Sequence, residues 1–420
     1  MKIAIIGTGI AGMACGHFLS QTDSFGKDKA EIFFYEKNNY AGGHTNTITV
    51  DEDGREVNID TGFMVFNHVT YPNLIKLFAE LNVPSYKTDM SFSVQYKPAD
   101  LEFCGSGISG LFAQRATIFN IRHIRMLKQI GRFNDEAVKD LDNTTYAHHS
   151  IKEYIAAKGF GDDMLQRYLI PMSAAVWSTP MDKMLDFHAQ TLIRFFYNHG
   201  FLGLNTQHQW YTITNGSKTY RDIIMKPFQN NLRLNDPVIL VKREKGKAVV
   251  ITKSGTETEY DKVIIATHGD EALALLDEPS HLEKNLLSNF KYQKNKTVLH
   301  TDASVMPKTK RAWSSWNYRM EEKDGTLHAS TIYWMNSLQN ISKKTNYFVS
   351  LNDPGNIDEK KILKVIDYEH PLFDLHTAKA QPDLPKLNEK GPVYFCGSYF
   401  RFGFHEDALW SAVGLCEKLK

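Results

Sequence analysis

The first forty residues constrain this chain more than any other stretch. Lys2 to Ile6 is a short run rich in isoleucine that ends in Gly7-Thr8-Gly9-Ile10-Ala11-Gly12; Ile10 to Leu19 then has the pattern of a helix. Glu31 to Tyr35 is a second apolar strand, closed by Glu36. Glycines between a strand and a helix have a physical purpose. Gly7 makes the tight turn, Gly9 lets backbone approach a pyrophosphate, and Gly12 lets helix and strand pack closely. The helix N-terminus, including Ile10 and Ala11, faces the negative charge. Glu36, 24 residues after Gly12, is placed to accept hydrogen bonds from ribose hydroxyls. Strand, glycines, helix and acid agree on a dinucleotide-binding unit. The same glycine spacing in Gly105-Ser106-Gly107-Ile108-Ser109-Gly110 lacks a following strand with its acid and reads as a turn.

The rest of the chain is long enough to build on that unit. Its 420 residues predict two or three domains, and 42% hydrophobic with 23% charged residues excludes disorder, collagen and coiled coil. Forty-nine Lys plus Arg against 48 Asp plus Glu leave a net charge of +1, which gives no global reason to expect nucleic acid as partner. No apolar run reaches the length of a membrane span, and Met1 leads directly into the first strand without a signal peptide, so a cytoplasmic protein is expected. Cys15, Cys104, Cys396 and Cys416 are far apart, and the 16 histidines contain no H-E-x-x-H. Neither a disulfide framework nor a metal site is expected.

Thr45 to Asp60 reads as a hairpin around Asp51-Glu52-Asp53-Gly54, and Tyr71 to Leu81 as a core helix with Leu74, Leu77, Phe78 and Leu81 on one face. Residues 118 to 228 are mostly helical in pattern and suggest a separate lobe. Val238–Val241, Ala248–Lys253 and Thr256–Tyr260 form a meander that leads into the continuous apolar run Val263-Ile264-Ile265-Ala266-Thr267, the signature of a buried parallel strand. Pro392–Phe395 is a last strand and His405–Leu419 a last helix. The expected division is a discontinuous nucleotide domain, 1–84 with 228–275 and 390–420, and an inserted lobe, 85–227 with 276–389.

Tyr40-Ala41-Gly42-Gly43-His44-Thr45 follows Glu36 at once, leaving backbone free to lie against a cofactor. Together with the glycine turn, Glu36, the Ala266-Thr267 strand end and Phe395-Cys396-Gly397, it resembles the flavoprotein amine oxidase superfamily. The resemblance implies an α/β fold: a Rossmann-like FAD-binding domain, made of a parallel sheet and a β-meander, with an inserted α+β substrate domain. It implies that Gly7, Gly9 and Gly12 hold the pyrophosphate, Glu36 the adenosine ribose, and Gly42-Gly43, with His44 and Thr45, the ribityl and flavin side. Val238 would meet the adenine through its backbone, and Gly62 and Gly397 join the cofactor set. Gly403-Phe404-His405-Glu406 resembles the family's closing segment, where a helix N-terminus faces the pyrimidine edge of the flavin and stabilises charge built up on reduction. An ordinary acidic first turn is the other reading of His405-Glu406-Asp407. His44 and Ser398 stand where the family usually carries Arg and an acid. No cysteine sits where a covalent flavin link is made, so noncovalent FAD is expected.

Lys296, before Thr297-Val298-Leu299, resembles the family's lysine near flavin N5, or is a plain charge at a strand edge. Trp313, Trp316, Tyr318, Tyr333 and Trp334 form either a water-poor substrate wall or ordinary core. Residues 106–134 hold Arg115, Arg122, Arg125, Lys128 and Arg132 and no acid; 115–133 is either a core helix with a solvated face or a basic amphipathic helix that touches anionic membrane from the cytoplasmic side. Asp60-Thr61-Gly62-Phe63, Tyr71-Pro72-Asn73-Leu74, Leu299-His300-Thr301-Asp302, Trp313 to Tyr318 and Tyr333-Trp334-Met335-Asn336 resemble a bacterial oxidase-like branch. A domain similar to it precedes the methyltransferase part of plant cyclopropane fatty-acid synthases. That resemblance implies an FAD-dependent oxidoreductase that removes a hydride from an apolar, acyl-lipid substrate. The alternatives are a flavin oxidase of a small amine and a flavin-bound partner of a lipid methyltransferase.

Overall fold

The opening strand lies at the centre of a parallel sheet. The computed structural model describes residues 1–21, 30–203 and 206–420. Its five-stranded sheet runs Leu232–Leu234, Glu31–Glu36, Lys2–Ile6, Lys262–Ile265, Val393–Phe395, with every pairing parallel. Ile3, Ile5, Val263, Ile264 and Ile265 are wholly buried, as strands covered on both faces must be. On one face, helix Ile10–Ser20 packs against the closing helix His405–Leu419. On the other, Ala4, Ile6 and Tyr35 meet Val238, Val241, Val250 and Tyr260 of the antiparallel meander Val238–Glu244, Lys247–Thr252, Glu257–Tyr260. The hairpin forms between Thr47–Glu52 and Arg55–Asp60, and the core helix spans Pro72–Glu80.

A seven-stranded mixed sheet forms the second layer system. Its order is Ile362–Leu372, Lys291–His300, Phe348–Leu351, Thr326–Trp334, Trp316–Lys323, Phe92–Tyr96, Leu101–Cys104. Val94, Tyr318 and Met320 of this sheet share a core with Phe133, Leu169, Trp177 and Phe195 of the helical lobe. Phe92–Tyr96 and Leu101–Cys104 carry no clean alternation, because their polar side chains are buried in pairs: Gln95 donates to Glu102 at 2.7 Å and Ser93 to Asn317 at 2.8 Å. Helix Lys218–Met225, read from the sequence as part of the lobe, places Tyr220, Ile224 and Met225 in the same core as Ile10, Leu19 and Phe34.

One carboxylate ties these parts together. Buried Asp60 accepts from the Ser217 amide (2.9 Å) and hydroxyl (2.8 Å), the Thr47 hydroxyl (2.6 Å) and the Gln339 carboxamide (2.7 Å), while its own amide donates to Gln339. The hairpin, the start of helix Lys218–Met225 and the short helix Met335–Gln339 after the second sheet therefore meet at one side chain. Asp60→Ala is expected to lower the unfolding free energy by about 3–5 kcal/mol, because it orphans several buried donors at once. A denaturant titration checks this; a loss under about 1 kcal/mol would mean that water replaces the carboxylate.

Candidate functional site

The glycines after the first strand floor a cavity of about 940 Å³, near the upper end of the range for ligand sites. Gly7 has φ +98°, and a Cβ there would lie 2.7 Å from the Ala266 carbonyl oxygen. A Cβ at Gly9 would meet nothing within 4 Å, so this position is open. Gly43, with φ +58°, comes back against it: a Cβ on Gly43 would be 3.3 Å from Gly9 Cα. Gly9, Ile10 and Ala11 line the cavity, and the helix starts there with no side-chain cap and no acid in its first turn. That is an anion site made of backbone N–H groups and a helix dipole. Gly12 stands behind it as the packing contact between helix and turn.

Glu36 also lines the cavity. Its Oε2 accepts from the Thr8 amide (3.1 Å) and hydroxyl (2.6 Å), and its Oε1 from the Asn38 amide (3.0 Å) and carboxamide (2.9 Å). The Thr8 hydroxyl and the Asn38 carboxamide are rotatable donors whose places a ribose can take. Neither residue was singled out in the sequence, where each looked like a generic turn residue. Val238, Gly62 and Gly397 line the cavity as the resemblance implies. Gly42 and Thr45 do not: Gly42 lies against the Thr45 carbonyl, and the Thr45 hydroxyl pairs with Tyr220 at 2.6 Å.

His44 is half-buried, stacks on Tyr368 at 4.7 Å and meets His370 edge-on at 5.0 Å. Burial, with repulsion from His370, His268 and His405, holds its pKa well below the usual imidazole value. Its Nε2 has no hydrogen-bond partner, nor do Trp316 Nε1 and His268 Nδ1, and all three residues line the cavity. Buried polar atoms without partners inside one cavity are places for a bound molecule's polar groups. His268, Glu271 and Glu369 bring ligand atoms within 4.8 Å of one another, although no metal grouping was expected from the sequence. Lys37 already pairs with Glu271 at 2.5 Å.

The closing helix meets the cavity at its N-terminus. Phe404 stacks on Phe195 at 4.7 Å, and the His405 ring lies flat on Phe63 at 3.8 Å while its Nε2 pairs with the Tyr220 hydroxyl at 2.7 Å. Burial pushes the His405 pKa down to about 3. Glu406 is a correction to the sequence reading. It turns away from the cavity and accepts from the Asn73 amide (3.0 Å), the Asn73 carboxamide (2.6 Å) and the Leu74 amide (3.0 Å), capping helix Pro72–Glu80. Lys296 is a second correction: it is exposed and outside the lining, whereas its neighbour Thr297 is buried within it, because successive strand residues point to opposite faces. Lys294, on the same strand face and also exposed, touches the lining two residues earlier, where the strand approaches the cavity rim.

Around Phe404 the cavity becomes an aromatic chamber. Trp177, Phe195, Phe201 and Trp210 line it, and Trp316 meets Tyr333 edge-on at 5.1 Å. The five aromatics singled out in the sequence therefore divide. Trp316 and Tyr333 face the cavity, Trp313 and Trp334 pack with Phe348, and Tyr318 belongs to the helical core. Ser178, cavity-lining with φ +50°, holds its hydroxyl against Tyr333. A non-glycine residue in that region is strained, and such strain concentrates at ligand sites.

A backbone anion cradle, a cavity-lining acid beside it and an aromatic chamber at a helix N-terminus make the arrangement of a dinucleotide-dependent oxidoreductase. The family model for flavin-containing amine oxidoreductases matches residues 10–344, and the chain belongs to that family. FAD is its cofactor, and the protein is an FAD-dependent oxidoreductase. No curated protein matches the sequence significantly. Among solved structures it is similar to putrescine oxidase bound to putrescine (13% identity, TM-score 0.66, 100% of this chain and 98% of that one). It is also similar to cyclohexylamine oxidase from Brevibacterium oxydans (13%, 0.67, 100% and 99%) and to a CLA-producing fatty acid isomerase from P. acnes (13%, 0.65, 99% and 98%). The residues fit FAD: Gly9 is open toward the pyrophosphate with Gly43 lying close beside it, and the orphaned His44 and Trp316 nitrogens offer the cofactor polar partners.

Proposed function

We propose that the protein removes a hydride from an apolar substrate, with a modified fatty-acyl chain as the substrate class. The chamber's composition carries this reading. The cavity's carboxylates, Glu36, Glu271, Asp367 and Glu369, lie at the nucleotide turn, the His268 cluster and strand Ile362–Leu372, while aromatic and aliphatic side chains surround Phe404. Among the described residues that chamber holds no charged side chain to pair with a head group, whereas an alkyl chain gains from every apolar contact.

Bound FAD supplies the two-electron acceptor. The chain's own residues hold and shield it. Gly7, Gly9 and the first helix turn would receive the pyrophosphate, Glu36 and Val238 would hold the adenosine, and the helix N-terminus at Phe404–His405 would stabilise negative charge built up on reduction. Burial holds the Tyr71 and Tyr333 pKa values above the ordinary phenol, so both hydroxyls keep their protons even in alkaline solution. Burial also pushes the His199 pKa down to about 4, which keeps it neutral. Cys15, Cys104, Cys396 and Cys416 are buried and none lines the cavity, which supports noncovalent attachment. Denaturing the purified protein should release all its FAD to the supernatant; flavin left on the polypeptide would refute that.

Anaerobic mixing of the holoprotein with lipid extracts tests the substrate. Bleaching of the visible flavin band is the expected outcome, and no bleaching with any extract would overturn the acyl reading. Phe404→Ala, which opens the chamber between Trp177 and Phe195, should slow bleaching by the active lipid at least about tenfold with flavin content retained. A second reading, oxidation of a small amine, draws on the aromatic faces of Trp177, Trp210 and Phe404, which attract an ammonium group. Fast reduction by amines in a stopped-flow screen selects it. A protein that no donor reduces and that co-purifies with a lipid methyltransferase selects the partner reading instead.

A further inference from the structure

One corner of the helical lobe exposes large apolar side chains to solvent. Phe119 is 87% exposed, Ile108 78%, Ile121 73% and Ile118 46%. Phe119 ends a short 3-10 turn, Arg115–Phe119, and Ile121 opens helix Ile121–Lys139 directly after the capping residue Asn120. Ile108 belongs to the neighbouring turn of helix Gly107–Leu111. That turn is tied to the same corner: Arg115 donates to the Ser109 hydroxyl at 3.1 Å, and His123 Nε2 lies 2.9 Å from the Leu111 carbonyl oxygen. Helical periodicity places Phe119 with the core face, yet Met126 and Phe133 are the members of that face that are buried. A folded chain that leaves Phe and Ile so bare in one place, while burying aromatics elsewhere, has a use for them outside water.

Cations surround this apolar tip. Arg115, Arg125 and Lys128 are exposed beside it, and exposed Lys310 and Arg311 belong to the turn Lys310–Ala312 that packs on helix Gly107–Leu111. None of these five has an ion-pair partner among the described residues. The acid that reaches the corner, Asp163, pairs with Arg122 and Arg167 and feels Arg125 at longer range, and Arg132 is taken by Glu136. Among the described residues no helix is long and apolar enough to cross a membrane.

We propose that this corner docks the protein on an anionic lipid bilayer, with Ile108, Phe119 and Ile121 inserted at the headgroup–acyl boundary and the five unpaired cations against lipid phosphates. Apolar wedges ringed by unpaired positive charge are complementary to that surface: the insertion depth suits one or two side chains, and the charge suits the phosphate layer. The rim is dominated by cations, which suits a surface of lipid phosphates. The proposal is independent of the substrate reading, since it concerns adsorption and not turnover.

Co-sedimentation of the holoprotein with vesicles tests it. Binding is expected to vesicles of phosphatidylcholine with phosphatidylglycerol, to be at least tenfold weaker to phosphatidylcholine alone, and to fall with added salt. The exposed double variant Phe119→Glu with Ile121→Glu should keep its flavin and melting temperature and lose at least tenfold in partitioning; Arg125→Glu with Lys128→Glu should do the same. As an independent readout, Phe119→Trp should gain a blue-shifted fluorescence component on anionic vesicles, quenched by brominated acyl chains. Equal partitioning of wild type and the Phe119→Glu, Ile121→Glu protein would overturn the proposal. So would a concentration-dependent dimer that this variant abolishes while the wild type ignores vesicles, since the apolar tip would then belong to a second copy of the chain.

Discussion

Gly12→Ala protein is expected to come off the purification nearly colourless. A Cβ at this position would lie 2.0 Å from the Gly7 carbonyl oxygen, 3.1 Å from its carbon and 3.2 Å from Ile5 Cγ2. Two of these atoms are the backbone of the cradle itself, and no rotamer change moves them. Helix Ile10–Ser20 must therefore lift from strand Lys2–Ile6, at a cost of about 1–3 kcal/mol, and the lift opens the turn that holds the pyrophosphate. Flavin content should fall at least about tenfold, because a displacement of this size loses several N–H contacts at once. The ratio of visible to ultraviolet absorbance measures it. Gly131→Ala is the matched control: it lies inside helix Ile121–Lys139 with nothing within 4 Å of its Cβ position. That change should stabilise the protein by roughly 0.5–1 kcal/mol. A Gly12→Ala protein with full flavin and unchanged stability would refute the assignment of the cradle.

Acid should unfold the protein well above the ordinary carboxylate range. Burial pushes His199, His300 and His370 down to about 4 and His405 to about 3, from a reference of 6.5. Two of them use Nδ1 as an acceptor, His300 from the Asp302 amide (3.1 Å) and His370 from the Asn295 carboxamide (2.8 Å), so protonation breaks a bond as well as charging a buried ring. Between pH 6.5 and 4 the unfolded chain binds these four protons and the folded chain does not, so stability falls with pH. Asp60 and Asp407 act in the other direction: burial raises them to about 6 and about 7, and the folded chain keeps protons there that the unfolded chain releases. His44 and His123, also held low, and Glu406 and Asp270, also raised by burial, enter in equal number on the two sides, so about two net protons remain, or roughly 3 kcal/mol per pH unit at about 1.4 kcal/mol for each. Urea midpoints of the holoprotein should drop steadily from pH 6.5 to pH 4.5. A flat or rising midpoint would mean that the buried imidazoles take up protons without penalty.

The parts of the fold that were legible in the sequence are those in which one physical rule acts alone. Lys2–Ile6 and Val263–Ile265 are buried on both faces, so an unbroken apolar run marks them; Gly7, Gly9 and Gly12 answer to backbone geometry, which leaves a spacing. Phe92–Tyr96 and Leu101–Cys104 escaped because Ser93, Gln95 and Glu102 are buried with polar partners from other segments, and pairing across sequence distance leaves no local pattern. The site shows the same divide. Glycines and Glu36 were legible, whereas Thr8, Asn38 and Ser178 depend on partners that only folding brings together. Glu406 misled for a related reason: an acid in the first turn of a helix at a cofactor site suggests the cofactor, and here the carboxylate serves the start of another helix. Asp60 and His300, singled out as marks of a branch, belong to buried polar knots; Gly62, Tyr71, Trp316 and Tyr333 from the same motifs line the cavity.

The parallel sheet has a consequence for the order in which this protein is made. Its central strand, Lys2–Ile6, leaves the ribosome well before its partners: its neighbour Lys262–Ile265 follows some 260 residues later and the edge strand Val393–Phe395 some 390 residues later. Until then a nascent chain carries an apolar strand without one of its partners, and helix Ile10–Ser20 waits for the closing helix that will cover it. Such long-range pairing folds slowly and leaves sticky intermediates that chaperones protect. Premature termination before residue 390 would remove the edge strand, the closing helix and Phe404 together. A truncated product should therefore aggregate, not survive as a flavin-binding fragment.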